Sequence, residues 1–100
     1  MEIELTDDFE KSLKKFDKTA IARIFQRLER IEMGNFGDYK DLGDGLFELR
    51  LFFGARVYYG EIKKGTLILI LLAGKKNTKK EQSEDIAKAR KILKRELENG

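Results

Sequence analysis

Up to Phe36 the apolar positions recur at intervals of three and four, and beyond Tyr39 they recur at intervals of two. Phe9, Leu13 and Phe16 form one stripe, and Ile21, Ile24, Phe25, Leu28 and Ile31 form another, so two helices are predicted. Thr6 can cap the first, with Asp7 and Asp8 in a first turn where the helix dipole favours negative charge. Asp17 or Thr19 can open the second, and Gly34 is placed to close it. The segment MEIEL ahead of them reads as a short edge strand. Helices joined this tightly make a helical hairpin, with Arg23, Arg27 and Arg30 on the side of the second helix away from its core face.

The period-two region predicts strands near residues 46–53, 56–63 and 66–73, preceded by YKDLGDG as a short strand or turn. Lys64-Gly65 fits a two-residue hairpin turn. TLILILLA is apolar on both sides, the pattern of a strand covered on both faces. Thr78 and Glu81 stand at capping-box spacing ahead of a last helix whose stripe is Ile86, Ala89, Leu93 and Leu97. The fold class is therefore α+β: a strand and helical hairpin on a three- or four-stranded antiparallel sheet, then a C-terminal helix, in one domain spanning residues 1–100.

The stretch ELRLFFGARVYY, residues 48 to 59, sets two arginines in the middle of a hairpin. Burying Phe47, Leu49 and Leu51 beside Val57 and Tyr59 requires paired residue numbers that sum to an even value. The connection must then be odd in length, most simply Phe53-Gly54-Ala55 with Gly54 or Ala55 in the special conformation. That parity gathers Arg50, Arg56 and Tyr58 on one surface. Carried into the next strand, the same surface takes in Leu67, Leu69, Leu71 and Ala73, which the last helix can cover. Two readings fit this placement. The arginines decorate the sheet in salt bridges, Arg50 with Glu48 or another carboxylate. Alternatively they floor a groove for phosphate, walled by the basic last helix and the GKKNTKK loop.

Composition narrows the chemistry. One hundred residues, 41% of them apolar, suffice for a single core. There is no cysteine and no histidine, which removes the thiol nucleophile, the usual general base and any zinc site, and leaves carboxylates as the only metal ligands. No metal and no cofactor is expected. No apolar run reaches the length of a membrane span, and the acidic start lacks a signal peptide's apolar stretch, so no membrane partner and a cytoplasmic location are expected. The net charge is only +3, yet residues 74–100 carry nine Lys/Arg against five Asp/Glu. That basic quarter suits a polyanion contact or a solvated helix face.

The segments RIFQRLERIEMGNFGDYKDLGDGLFELRL, RVYY and GTLILILLAGKKNTKKEQSEDIAKA, in this order and spacing, resemble the RelE/ParE superfamily of bacterial toxins. The resemblance is nearest to the HigB-like, phage-related addiction-module killer proteins and covers nearly the whole chain. It implies a toxin neutralised by a cognate antitoxin protein, with the ribosome and mRNA as its targets. In the RelE and HigB branches the activity is ribosome-dependent mRNA cleavage, in which the ribose 2′-hydroxyl attacks the adjacent phosphate and basic residues stand in for a histidine pair. Carried over by position, Arg50 matches the ELR arginine, Arg56 the RVYY arginine and Lys76 the lysine after the last core strand. The resemblance thus makes Arg50, Arg56 and Lys76 catalytic candidates, and Tyr58, on the same surface as the arginines, joins them because it or a lysine can take the 2′-hydroxyl proton. Lys75, Lys79 and Lys80 are the candidates for RNA binding. The chain differs from several active members in having no C-terminal histidine or tyrosine. Two alternatives share the fold: a ParE-like, non-enzymatic gyrase inhibitor and an inactive member that binds only its antitoxin. The arginine face of the second helix is a candidate contact for acidic antitoxin residues or an ordinary solvated face.

Overall fold

Thr6 and Asp17 set the frame of the N-terminal half. In the computed structural model, which describes residues 1–51, 54–63, 65–75 and 78–99, the Thr6 hydroxyl accepts from Phe9 N–H at 3.1 Å and opens α1 (Asp7–Ser12). The Asp17 carboxylate accepts from Ala20 N–H at 2.8 Å and opens α2 (Lys18–Glu32). The stripe Phe9, Leu13, Phe16 does not run as one helix. After Ser12 the chain tightens into a 3₁₀ turn (Leu13–Lys15), because the Ser12 hydroxyl donates back to Phe9 C=O and competes with the helical ladder. At the far end of α2, Gly34 N–H donates to Ile31 C=O and Asn35 N–H to Arg30 C=O. With Gly34 at φ +84° this is a Schellman ending, a conformation that glycine adopts without a Cβ clash.

Five strands form one sheet: β1 (Glu2–Leu5), β2 (Tyr39–Gly43), β3 (Leu46–Arg50), β4 (Ala55–Lys63) and β5 (Leu67–Lys75), in the order β1-β5-β4-β3-β2. The YKDLG segment is a true strand, and β1 joins the edge parallel to β5, pairing Glu2 with Leu67 through Leu5 with Ile70. The sheet is thus mixed and one strand larger than the antiparallel core expected from periodicity. On one face α1 and α2 bury Phe9, Ile24, Leu28 and Ile31 against Leu49, Val57, Tyr59, Ile68 and Ile70. On the other, α3 (Lys79–Asn99) packs Ala89, Ile92 and Leu93 onto Leu46, Tyr58, Leu69, Leu71 and Leu72. The interior strand β5 is covered on both faces. Leu97, expected in the buried stripe of α3, is 52% exposed, and Ile92 takes the buried position instead. The last turn of α3 stands over an open groove beside Leu67 and Leu69.

Register decides where the arginines point. Arg50 pairs with Arg56, Glu48 with Tyr58, Leu49 with Val57 and Phe47 with Tyr59. All four sums are even, so the apolar residues lie on the α1–α2 face and Glu48, Arg50, Arg56 and Tyr58 on the face of α3. The strand ends earlier than its pattern suggests, at Arg50. Leu51 N–H then donates to Ala55 C=O, and Gly54, at φ +87°, donates to Leu51 C=O. The connection therefore begins at Leu51, two residues before the Phe53-Gly54-Ala55 loop expected, and Phe53 lies outside the described residues. So does Lys64 of the Lys64-Gly65 turn, across which Thr66 N–H donates to Lys63 C=O.

The β4–β5 register shifts twice, between Tyr58 and Tyr59 and again between Glu61 and Lys63, and the first shift is the one that bears on the site. Tyr58 pairs with Leu72 but Tyr59 with Ile70, which leaves Leu71 as an extra residue in β5. Leu69, Leu71 and Leu72 consequently all pack with α3, whereas Ala73, expected beside them, crosses to the α1–α2 core. The bulge is held from α1: the Thr6 hydroxyl is directed at the carbonyls of Ile70 and Leu71, and Ser12 Oγ accepts from Ala73 N–H at 2.9 Å.

Candidate functional site

On the α3 face the hairpin and β5 lay out two rows of three residues. One row is Glu48, Tyr58 and Leu72; the other is Arg50, Arg56 and Gly74. Two arginines directly opposite on neighbouring strands repel. Glu48 offsets that repulsion. Its Oε1 accepts from Arg56 Nη1 at 2.7 Å and from Arg50 Nε at 3.1 Å, and its Oε2 accepts from Gln82 Nε2 of α3 at 2.9 Å. The Glu48 side chain has no exposure at all. Burial by itself would raise its pKa. Hydrogen bonds from Gln82 and Arg50, with the charges of Arg56 and Arg50, more than offset this and hold the carboxyl below its usual range.

The two arginines are not equivalent. The Arg56 side chain is 10% exposed and that of Arg50 41%. Arg50 is therefore the guanidinium of the pair that meets solvent, while Arg56 is committed to Glu48. Arg56 Nε and Tyr58 Oη are buried, and neither has a hydrogen-bond partner among the described residues. The Tyr58 ring is fully buried under α3, so its phenol is not presented to solvent. Burial first, then the charges of Glu48 and Asp85, push that phenol well above the usual tyrosine range.

Gly74 leaves an empty place at the end of the arginine row, and Asp85 of α3 fills it. A Cβ on Gly74 would collide with the Asp85 carboxylate, its Cγ lying 3.2 Å from that point. The ring edge of Tyr58 is 3.7 Å from the same point. Burial pushes the Asp85 carboxyl up, and the charges of Lys15 and Lys88 offset part of that. Gln82 and Asp85 join the site from α3, beyond the candidates that the hairpin and the lysine loop provide. Their signal was available: both fall on the helical repeat of Ile86, Ala89 and Leu93, as polar residues on the buried stripe of α3.

The lysines are dispersed. Lys76 lies outside the described residues. Lys75 pairs with Ala55, one residue past the arginine row, and its ammonium lies 5.4 Å from the Phe16 ring centroid, on the opposite face of the sheet. The bulge at Leu71 and the alternation of β5 account for that. Lys79 and Lys80 are exposed in the first turn of α3, after Thr78, whose hydroxyl accepts from Glu81 N–H. On α2, Arg23 and Arg30 are exposed. Arg27 is not on an outer face: its guanidinium turns in, donating to Arg50 C=O at 2.9 Å and Phe36 C=O at 3.1 Å, and so supports the end of β3 from behind. Among the described residues no group of His, Cys, Asp and Glu could hold a metal ion, and no helix is long and apolar enough to cross a membrane.

Solved structures similar to this fold include RelE-type toxins. The isolated RelE toxin of E. coli superposes with a TM-score of 0.64 at 17% identity, over 85% of this chain and 94% of that one. The toxin–antitoxin complex RelBE2 of Mycobacterium tuberculosis gives a TM-score of 0.58 at 20% identity, over 73% of this chain and 94% of that one. At such identities the likeness establishes a RelE-like α+β fold. An uncharacterized protein of Haemophilus influenzae (strain ATCC 51907 / DSM 11121 / KW20 / Rd) is 40% identical over 100 residues, spanning 97% of this chain and 96% of its own. Residues 11–94 match the family described as phage derived protein Gp49-like (DUF891). That match runs from the end of α1 through most of α3 and takes in every described residue of the two rows, so the chain belongs to the Gp49-like family of phage-derived proteins.

Proposed function

We propose that the chain is the toxin of a type II toxin–antitoxin pair, HigB-like in its branch, and that it inhibits translation as a metal-independent, ribosome-dependent mRNA endonuclease. The observation that carries this reading is the arginine row on a RelE-like sheet: Arg50 opposite Arg56, with one guanidinium open to solvent. A like-charged cross-strand pair costs stability and needs a buried carboxylate to hold it. That arrangement suits a surface that must present a fixed cation to a phosphate as charge develops on it. Lys79 and Lys80 add to the argument, because cations in the first turn of a helix oppose its dipole. Their use is electrostatic attraction of RNA and ribosome in the cytoplasm.

In this reading Arg50 touches the scissile phosphate. Arg56 positions it through Glu48, and Tyr58 supports the floor. Lys76 remains a candidate second cation, whereas Lys75, whose ammonium lies on the opposite face of the sheet, has no part in it. Poor catalysis in isolation is expected, with the ribosome supplying the orientation of the RNA. A cognate antitoxin is the expected protein partner, in keeping with the RelBE2 assembly.

One feature favours the gyrase-binding alternative: Glu48 neutralises one of the two arginines, leaving fewer free cations than a nuclease groove would ideally carry. Induction without any partner gene separates the readings. The nuclease reading expects incorporation of labelled amino acids to fall first. DNA breaks preceding that fall support the gyrase inhibitor, and unimpeded growth supports an inactive antitoxin-binding member.

A further inference from the structure

We propose that Asp85 is the general base of the site, the carboxylate that takes the 2′-hydroxyl proton. The assignment rests on the nuclease reading and deepens it. In-line attack needs a proton acceptor within hydrogen-bond reach of the ribose, and a cation nearby for the phosphate. Tyr58 is buried and its phenol holds its proton. Glu48 is fully enclosed and already accepts from three side chains. Asp85 differs from both. It is only half-buried, and it reaches from α3 into the notch that Gly74 leaves at the end of the row Arg50–Arg56–Gly74. Two interstrand steps separate Gly74 from Arg50, about 10 Å, a span that one ribose and its 3′-phosphate bridge. The carboxylate thus sits at one end of the row and the solvent-facing guanidinium at the other.

The groups facing Asp85 are Tyr58 from β4, Lys15 from the 3₁₀ turn, and Lys88, Glu81 and Glu84 from its own helix. Burial raises its pKa from the ordinary carboxylate value, the direction that makes a carboxylate a stronger base than an exposed aspartate. The step balances without a cofactor. The Asp85 carboxylate takes the 2′-hydroxyl proton, O2′ forms a bond to phosphorus, and the P–O5′ bond breaks. The electron pair leaves on O5′, which takes a proton from water. The products are a 2′,3′-cyclic phosphate and a 5′-hydroxyl end.

Single-turnover cleavage of a defined mRNA on programmed ribosomes tests this, using the parent, Asp85→Asn, Gly74→Ala and Arg50→Ala across a pH series. Asp85→Asn is expected to lower the rate by about 100-fold or more and to abolish the rise of rate with pH on the acid side. Gly74→Ala keeps the carboxylate but drives it out of the notch, so its rate falls in parallel. Arg50→Ala lowers the rate while keeping the acid limb. An Asp85→Asn protein that cleaves within threefold of a cleaving parent, with the same limb, overturns the assignment alone. A parent that leaves mRNA intact overturns the nuclease reading and this assignment together. Unfolding midpoints of all four proteins separate loss of chemistry from loss of fold.

Discussion

Replacing Glu48 by leucine strands a guanidinium. Arg56 is 10% exposed and its Nη1 lies 2.7 Å from Glu48 Oε1, so deleting the carboxylate leaves an uncompensated charge in the interior. Breaking a buried pair by removing one partner costs about 3–5 kcal/mol. Arg50 adds little to this, because its side chain is 41% exposed and water can solvate it once released. The lost acceptor for Gln82 falls within the same range. A domain of this size has a total stability of roughly 5–15 kcal/mol, so Glu48→Leu should sit near the edge of folding. The pair Glu48→Leu/Arg56→Met removes both charges and fills the space with methylene groups. Such exchanges are often neutral or stabilising, so the double variant should return to within about 1 kcal/mol of the parent. Urea unfolding of the parent, both single variants and the double variant gives the coupling directly. A cost below about 1 kcal/mol for Glu48→Leu, or a double variant no more stable than the single, would refute the claim that Glu48 is the electrostatic keystone of the arginine row.

Three further outcomes follow from the same geometry. Glu48 titrates lower in the folded chain than in the unfolded one, so its contribution is present above the ordinary glutamate range and lost as pH falls through its folded pKa; acid unfolding midpoints should show a smaller acid loss in the double variant than in the parent. Asp85 is shifted the other way, so its ionisation costs stability as pH rises through its folded pKa, and Asp85→Asn should unfold at higher urea than the parent at pH 7 even as it loses activity. Thr6→Val removes the α1 cap and the hydroxyl directed at the bulge carbonyls, and should cost about 1–2 kcal/mol in the same urea assay; an unchanged midpoint would mean the bulge holds without it.

What the sequence shows plainly is whatever a period enforces. The pleat alternates strictly, so the even register of β3 and β4, and the shared face of Arg50, Arg56 and Tyr58, follow from where the apolar residues must go. Caps at Thr6, Asp17, Gly34 and Thr78 are equally local and equally legible. The features that escaped depend on segments far apart in the chain. The bulge at Leu71 is stabilised by Thr6 and Ser12, about sixty positions away, and it sends Ala73 to the other face. The parallel docking of β1 is likewise a choice of neighbour that no local pattern records. Arg27 looks solvent-facing on a helical repeat, yet two backbone carbonyls at the end of β3 and after α2 draw it inward. Within the site, sequence placed the cations but not their exposure. That Arg50 meets water and Arg56 does not is decided by which of them Glu48 and α3 enclose.

The central claim is that the solvent-facing member of the arginine row acts on RNA. The direct measurement is the mapping of mRNA 3′ ends in cells shortly after induction of the parent or of Arg50→Ala, with both proteins shown to be folded and equally abundant. The account predicts new ends within translated regions for the parent and their near absence for Arg50→Ala. Identical ends from both proteins, or growth arrest by the parent with no new ends, would contradict it.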